Sequence, residues 1–207
     1  MVKFRSFLVF GPNGIGKGTN AKAAGTLPGY VHFSTGDMFR ALLARVNEGR
    51  ASELELRIDK TMKGGGLVDD KTTVELAKEN LEGWVRDNCF DPEKDCLLLD
   101  GLPRNRHQAE MISAFIDVVG VLHVTASRQV AVERITGRAM LEGRKDDQDA
   151  EAVGKRLDIF FENAADILSC YDPQFDGRMD YDSKIIHYIN ADQQPVEVLR
   201  DFLQYLV

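Results

Sequence analysis

The chain has 207 residues and a formal net charge of −7; the length is enough for one domain with a sizeable core and leaves room for small inserted lobes. The acidic balance argues against general nucleic-acid binding. Cys89, Cys96 and Cys170 are odd in number and lack C-x-x-C spacing, which argues against a disulfide framework or a thiolate zinc site and fits a reducing compartment. Residues 1–10 carry two basic residues and a short apolar run, too short for the apolar core of a secretion signal, and no later stretch approaches membrane length. A cytoplasmic protein without a membrane partner is expected.

In chain order, residues 7–10 are consecutively apolar, as in a strand buried on both faces. Gly11, Gly14, Gly16 and Gly18 follow with Lys17 among them, and 20–25 reads as the continuation of a helix. Residues 30–33 form a short strand candidate, and 34–37 offer capping oxygens before the helical face of Met38, Phe39, Leu42, Leu43 and Val46. Ser52 caps a helix carrying Leu54, Leu56, Ile58 and Met62, which Gly64, Gly65 and Gly66 end. Asp69 or Asp70 starts the next helix, with Val74, Leu76, Ala77, Leu81, Trp84 and Val85. A second apolar run, 96–99, ends in Asp100; 105–115 reads as helix and 118–124 as a third buried strand. Residues 128–141 are helical, 142–149 a charged loop, 150–171 a long amphipathic helix, and 172–183 an acidic exposed loop or irregular hairpin. A last strand at 185–189 precedes a helix that Pro195 opens and that runs to 206. Buried strands alternating with helices predict an α/β fold of the P-loop NTPase type, with a five-stranded parallel sheet covered on both faces. Ligands in such sheets bind beyond the carboxyl ends of the strands, where Gly11, Ser34 and Asp100 would meet.

Strand, glycine-rich turn and helix start form the context that a phosphate-binding loop requires, and residues 11–17 fit G-x-x-x-x-G-K. Glycines let several backbone N–H groups surround an anion, the helix N-terminus adds partial positive charge, and Lys17 reaches the terminal phosphates as a mobile point charge. Gly18 stands where many such loops have a metal-binding Ser or Thr, and Thr19 comes one position later. Asp100, at a strand end beside this loop, is the candidate Mg²⁺ residue, directly or through water. Gln108 lies four residues after Arg104, on the same helix face, and its amide offers the donor and acceptor that suit an adenine edge. His32, His107, His123 and His187 have no ligand or triad partner at recognisable spacing and read as structural or surface groups.

Residues 100–110, DGLPRNRHQAE, resemble the DGFPR…Q motif of the adenylate kinases, within the nucleoside monophosphate kinases. The loop GPNGIGKGT is similar to that family's GPPGSGKGT; STGDMFR at 34–40, GLVDD at 66–70, ERITGR at 133–138, RKDD at 144–147 and KRL at 155–157 match further family motifs in family order. Asn13, Ile15 and Leu102 depart from the pattern. The resemblance implies a core of residues 1–33, 69–137 and 145–207, a helical monophosphate-binding lobe at 34–68 and a short lid at 138–144 with no inserted zinc domain. It implies reversible transfer of the ATP γ-phosphoryl group to AMP, giving two ADP, with Mg²⁺ entering with ATP, in a protein expected to be monomeric. ATP would contact Gly14, Ile15, Gly16, Lys17, Gly18, Thr19, Arg134, Arg138 and Gln194. AMP would contact Thr35, Gly36, Arg40, Val68, Gly101, Arg104, Gln108, Arg144 and Arg156. The catalytic set would be Lys17, Arg104, Arg138, Arg144 and Arg156, because guanidinium groups bind phosphate oxygens in planar, bidentate fashion. Two rivals remain at this point: the same chemistry on CMP or UMP, which Asn105 after Arg104 brings to mind, and a non-catalytic nucleotide-binding protein of the same fold.

Overall fold

A computed structural model describes residues 3–63, 68–142 and 149–206. The strands are β1 (Phe4–Phe10), β2 (Tyr30–Ser34), β3 (Cys96–Asp100), β4 (Ile116–Thr125) and β5 (Ile186–Asn190). They form one sheet in the order β2-β3-β1-β4-β5, and every pair is parallel. The helices are α1 (Lys17–Ala24), α2 (Thr35–Asn47), α3 (Glu53–Lys63), α4 (Asp70–Arg86), α5 (Arg106–Ile112), α6 (Arg128–Glu142), α7 (Ala150–Leu168) and α8 (Pro195–Leu203).

Alternation along the central strands divides the core in two. Leu8, Phe10, Leu97, Leu99 and Val121 pack on one face with Leu42, Leu76, Leu81, Ile112, Ile167 and Leu168. Val9, Leu98, Leu122 and Val124 pack on the other with Ala21, Ala24, Ile135, Leu157, Val198 and Phe202. Because both faces are covered, the strands read as unbroken apolar runs, which is why they are legible in the sequence. Among the described residues no helix is long and apolar enough to cross a membrane.

Helix ends differ from the sequence-based expectation. α5 stops at Ile112, α7 at Leu168 and α8 at Leu203, each before the expected 115, 171 and 206. The chain tightens there into i→i−3 turns: Phe115 N–H bonds Ile112 O at 3.0 Å, Tyr171 bonds Leu168 O at 3.0 Å and Leu206 bonds Leu203 O at 3.0 Å. Phe115 and Leu206 stay buried, so the apolar pattern continues past the α-helical hydrogen bonding. The 172–183 connection is held by aromatic packing rather than being a purely solvated link. The Phe175 and Tyr181 rings meet edge to face at 5.2 Å, and Tyr181 Oη donates to Asp172 Oδ2 at 2.9 Å.

The parallel register sets Ser34 beside Asp100 and Asp100 beside Val9, with Phe10 beside His123. The C-terminal ends of β2, β3 and β1 are therefore neighbours at one sheet edge, as expected.

Candidate functional site

The turn after β1 depends on glycine at two points. Gly11 has φ 146°, and a Cβ there would lie 2.1 Å from Val124 O. Gly14 has φ 84°, and its Cβ would lie 2.2 Å from Ile135 Cγ1. Gly16 precedes α1 in the left-handed region and, among the described residues, gives the helix no side-chain cap. By contrast Ser34, Asp69, Asn105 and Asp149 cap α2, α4, α5 and α7 through their side chains. The helix dipole of α1 is positive at its Gly16 end. Lys17 Nζ curls back onto this loop and donates to Pro12 O at 2.7 Å. Ile15 is 1% exposed and belongs to the core, so only its backbone faces outward chemistry; its carbonyl accepts from Arg134 Nη1 at 3.2 Å. Arg134 Nη2 also reaches Gln193 O at 3.4 Å, which joins α6, the loop and the residue before Gln194.

Asp100 lies against this loop: a Cβ on Gly18 would come within 3.3 Å of Asp100 Oδ2. The glycine that removes a hydroxyl from position 18 also makes room for the carboxylate. His32 Nε2 stands 3.7 Å from the same oxygen, beyond hydrogen-bond range. Sequence reading left His32 without a partner, because the parallel pairing of β2 with β3 creates this proximity across 68 positions. Among the described residues no group of three or more His, Cys, Asp or Glu side chains could hold a metal.

After β3, Gly101 turns at φ 86°, and a Cβ there would sit 2.3 Å from Thr35 Oγ1. This close approach draws the first turn of α2 onto the Asp100 turn. Arg104 Nε donates to Gly101 O at 3.0 Å. The residue is exposed, yet desolvation by the protein around its guanidinium lowers its pKa, Asp100 opposes that, and Arg156 adds to it. Arg104, Asp100 and Arg156 therefore share one electrostatic neighbourhood, with Arg156 Nε also directed to Ala152 O at 3.4 Å. An arginine remains charged throughout such a shift.

Arg40, on α2, donates to Asp37 Oδ1 at 2.5 Å, and Lys22 of α1 approaches Asp37 Oδ2 at 3.3 Å. Burial would raise the Asp37 pKa, but Arg40 and Lys22 outweigh it and hold the carboxyl below its ordinary value. Gln108 is 4% exposed. Its Oε1 accepts from Arg104 N–H at 2.8 Å, and its Nε2 donates to Asp70 Oδ1 at 2.6 Å. The expectation that Arg104 and Gln108 share a helix face does not hold: α5 begins at Arg106 with Asn105 as its N-cap, so Arg104 lies before the helix and meets Gln108 through its backbone N–H. Asp70 comes from the next helix upstream and has no local signal in the sequence. A cavity of about 200 Å³ opens between α3 and α4, lined by Leu54, Arg57, Ile58, Thr61, Val68, Asp69 and Thr72.

The loop, Asp100, Thr35, Gly36, Gly101, Arg104, Gln108 and Arg156 gather at the ends of β1, β2 and β3; Arg134 and Gln194 adjoin from the β4 side. Arg138 lies on α6 one turn after Arg134, but its side chain falls outside the described residues, as does all of Arg144.

A doubly wound parallel sheet with such a loop at its carboxyl edge defines a P-loop nucleotide-binding protein. The family described as adenylate kinase matches residues 9–175. A protein named adenylate kinase from Cyanothece sp. is 33% identical over 175 residues, covering 79% of this chain and 80% of that protein. One of the same name from Xanthomonas campestris is 33% identical over 170 residues, covering 80% and 84%. A third, from Maricaulis maris, is 31% identical over 177 residues, covering 82% and 86%. The chain belongs to the adenylate kinase family.

Proposed function

We infer that the protein is an ATP:AMP phosphotransferase, catalysing ATP + AMP ⇌ 2 ADP. The observation that carries this reading is the meeting of the Lys17 loop, Asp100, Arg104 and Arg156 at one sheet edge, beside the acceptor-motif turn of Thr35 and Gly36. Family membership supports it independently.

ATP is placed with its phosphates on residues 14–19. The backbone N–H groups there and Lys17 meet charge that would otherwise repel a second anion. Lys17 exchanges Pro12 O for a phosphate oxygen. Arg134 and Arg138 hold the donor side, and Gln194 borders the adenine. AMP is placed with its phosphate between Arg40 and Arg104. Its base rests between Val68 and Gln108, and Thr35, Gly36 and Gly101 close the pocket. The acceptor phosphate is already anionic, so an oxygen attacks the γ-phosphorus without a general base. The new P–O bond forms as the bond to the β-phosphate bridging oxygen breaks, and ADP leaves. Arg104, Arg138, Arg144 and Arg156 spread the charge of the transferring group as it passes between the two nucleotides. Residues 34–68 and 138–144 act as lobes that close over the cleft and exclude water as a competing acceptor.

Mg²⁺ belongs to the ATP substrate. A lone carboxylate at Asp100, with no multi-carboxylate cage among the described residues, fits an ion that keeps its phosphate and water ligands. Bound with ATP, the ion would neutralise phosphate charge, and Asp100 would be the residue that orients it, directly or through water. A cytoplasmic monomer without zinc completes the reading.

The test is ADP formation by purified protein from ATP and each of AMP, CMP, UMP and GMP. Preference for AMP is expected. Preference for CMP or UMP would replace the acceptor, and no turnover of any monophosphate would contradict the enzymatic reading.

A further inference from the structure

Asp70, in the first turn of α4, contacts no assigned substrate group, yet it holds two side-chain amides of the acceptor turn. Asn105 Nδ2 donates to Asp70 Oδ1 at 3.1 Å and to Oδ2 at 3.0 Å. Gln108 Nε2 donates to Asp70 Oδ1 at 2.6 Å. Asn105 Oδ1 in turn accepts from Gln108 N–H at 2.8 Å, and Arg104 N–H donates to Gln108 Oε1 at 2.8 Å. We propose that Asp70 is a specificity-determining residue that locks the Gln108 amide in one sense, so that the acceptor pocket accepts the adenine edge and rejects the reversed edge of a 6-oxo base.

A carboxylate can only accept, and a backbone N–H can only donate. Gln108 therefore has one allowed orientation: turned over, its oxygen would face Asp70 and its NH₂ would face the Arg104 N–H, two like-polarity clashes in a buried site. The network, not the side chain by itself, fixes which end is which. One N–H on Nε2 and one lone pair on Oε1 remain for a ligand. That pair suits a base with a ring-nitrogen acceptor beside an exocyclic amine. Adenine (N1, N6) and cytosine (N3, N4) have this pattern. Hypoxanthine, guanine and uracil present a ring N–H beside a carbonyl, the reverse pattern. A free glutamine could flip to serve either class; one fastened by Asp70 cannot. The Arg104 N–H bond also ties the base reader to the residue assigned to the acceptor phosphate, so base and phosphate are positioned by one turn.

This inference rests on the proposed acceptor site, and the experiment separates the two. AMP against IMP, and CMP against UMP, are pairs of equal ring size with opposite edges. With MgATP fixed, kcat/KM is measured for all four acceptors in wild type, Asp70→Asn and Asp70→Ala. Wild type should favour AMP over IMP by at least about tenfold, since a site with committed hydrogen-bonding groups rejects the mismatched analogue. Asn at position 70 can donate as well as accept, so in Asp70→Asn the AMP:IMP and CMP:UMP ratios should both fall by about tenfold or more. Asp70→Ala removes the carboxylate half of the lock, leaving only the Arg104 N–H to oppose a flip, and should shift the ratios the same way. A merely structural role would lower all four values together and leave the ratios in place. Wild type that uses IMP as well as AMP, or variants that keep the wild-type ratios, would overturn the inference while leaving AMP phosphorylation intact. Failure of wild type to phosphorylate any of the four would overturn the functional reading and the inference with it.

Discussion

His123 is fully buried on β4, its two ring nitrogens without a hydrogen-bond partner among the described residues. Burial alone pushes its pKa down from 6.5 to about 4. The folded protein therefore keeps this imidazole neutral while the unfolded chain protonates it. Its contribution to stability is complete above about pH 6.5, declines as pH falls, and levels off below about pH 4, a loss of roughly 3 kcal/mol. His123→Leu should flatten this part of the acid limb, as read from urea unfolding midpoints between pH 7 and 4.5; an unchanged pH slope would contradict the assignment. At the cleft, Lys17→Ala and Arg104→Ala should each lower kcat/KM by about a hundredfold or more, the loss of about 3 kcal/mol of transition-state stabilisation, with the circular dichroism spectrum retained. Lys17 was legible in the sequence because its motif is local. The contacts of Gln108 with Asp70 and of His32 with Asp100 were not, since each is brought about by a helix contact or strand pairing across tens of residues.

Among the elements, the glycines separate into two kinds. In the phosphate loop, Gly14→Ala places a methyl 2.2 Å from Ile135 Cγ1 at φ 84°. It should destabilise the fold by more than about 1 kcal/mol and weaken ATP binding. In α7, Gly154 has nothing within 4 Å of a built Cβ, so Gly154→Ala should stabilise by about 0.5–1 kcal/mol through helix propensity alone. Thermal unfolding of the two variants should move in opposite directions. Strand and helix identities were readable because β1, β3 and β4 are buried on both faces and α4 and α7 are amphipathic. Helix ends were not, since Phe115, Tyr171 and Leu206 continue the apolar rhythm into tighter turns whose hydrogen bonding leaves no mark on hydrophobicity.

At the scale of the molecule, parallel pairing sends β1, β2 and β3 to one edge and leaves each following turn to supply one part of the site. The phosphate loop follows β1, the capped start of α2 follows β2, and the Asp100–Arg104 turn follows β3. With one carboxylate assigned to the metal, the ion should come and go with the nucleotide: a chelator should abolish turnover, and added Mg²⁺ should restore it fully without refolding. Activity that persists in chelator, or fails to return, would place the metal elsewhere. The most direct measurement is the rate of ADP formation from MgATP and AMP by the purified wild-type chain alongside Lys17→Ala and Arg104→Ala. Two ADP should form for each AMP consumed, with turnover nearly lost in both folded variants. A folded wild type that makes no ADP, or variants that turn over as fast as wild type, would contradict the assigned reaction and site.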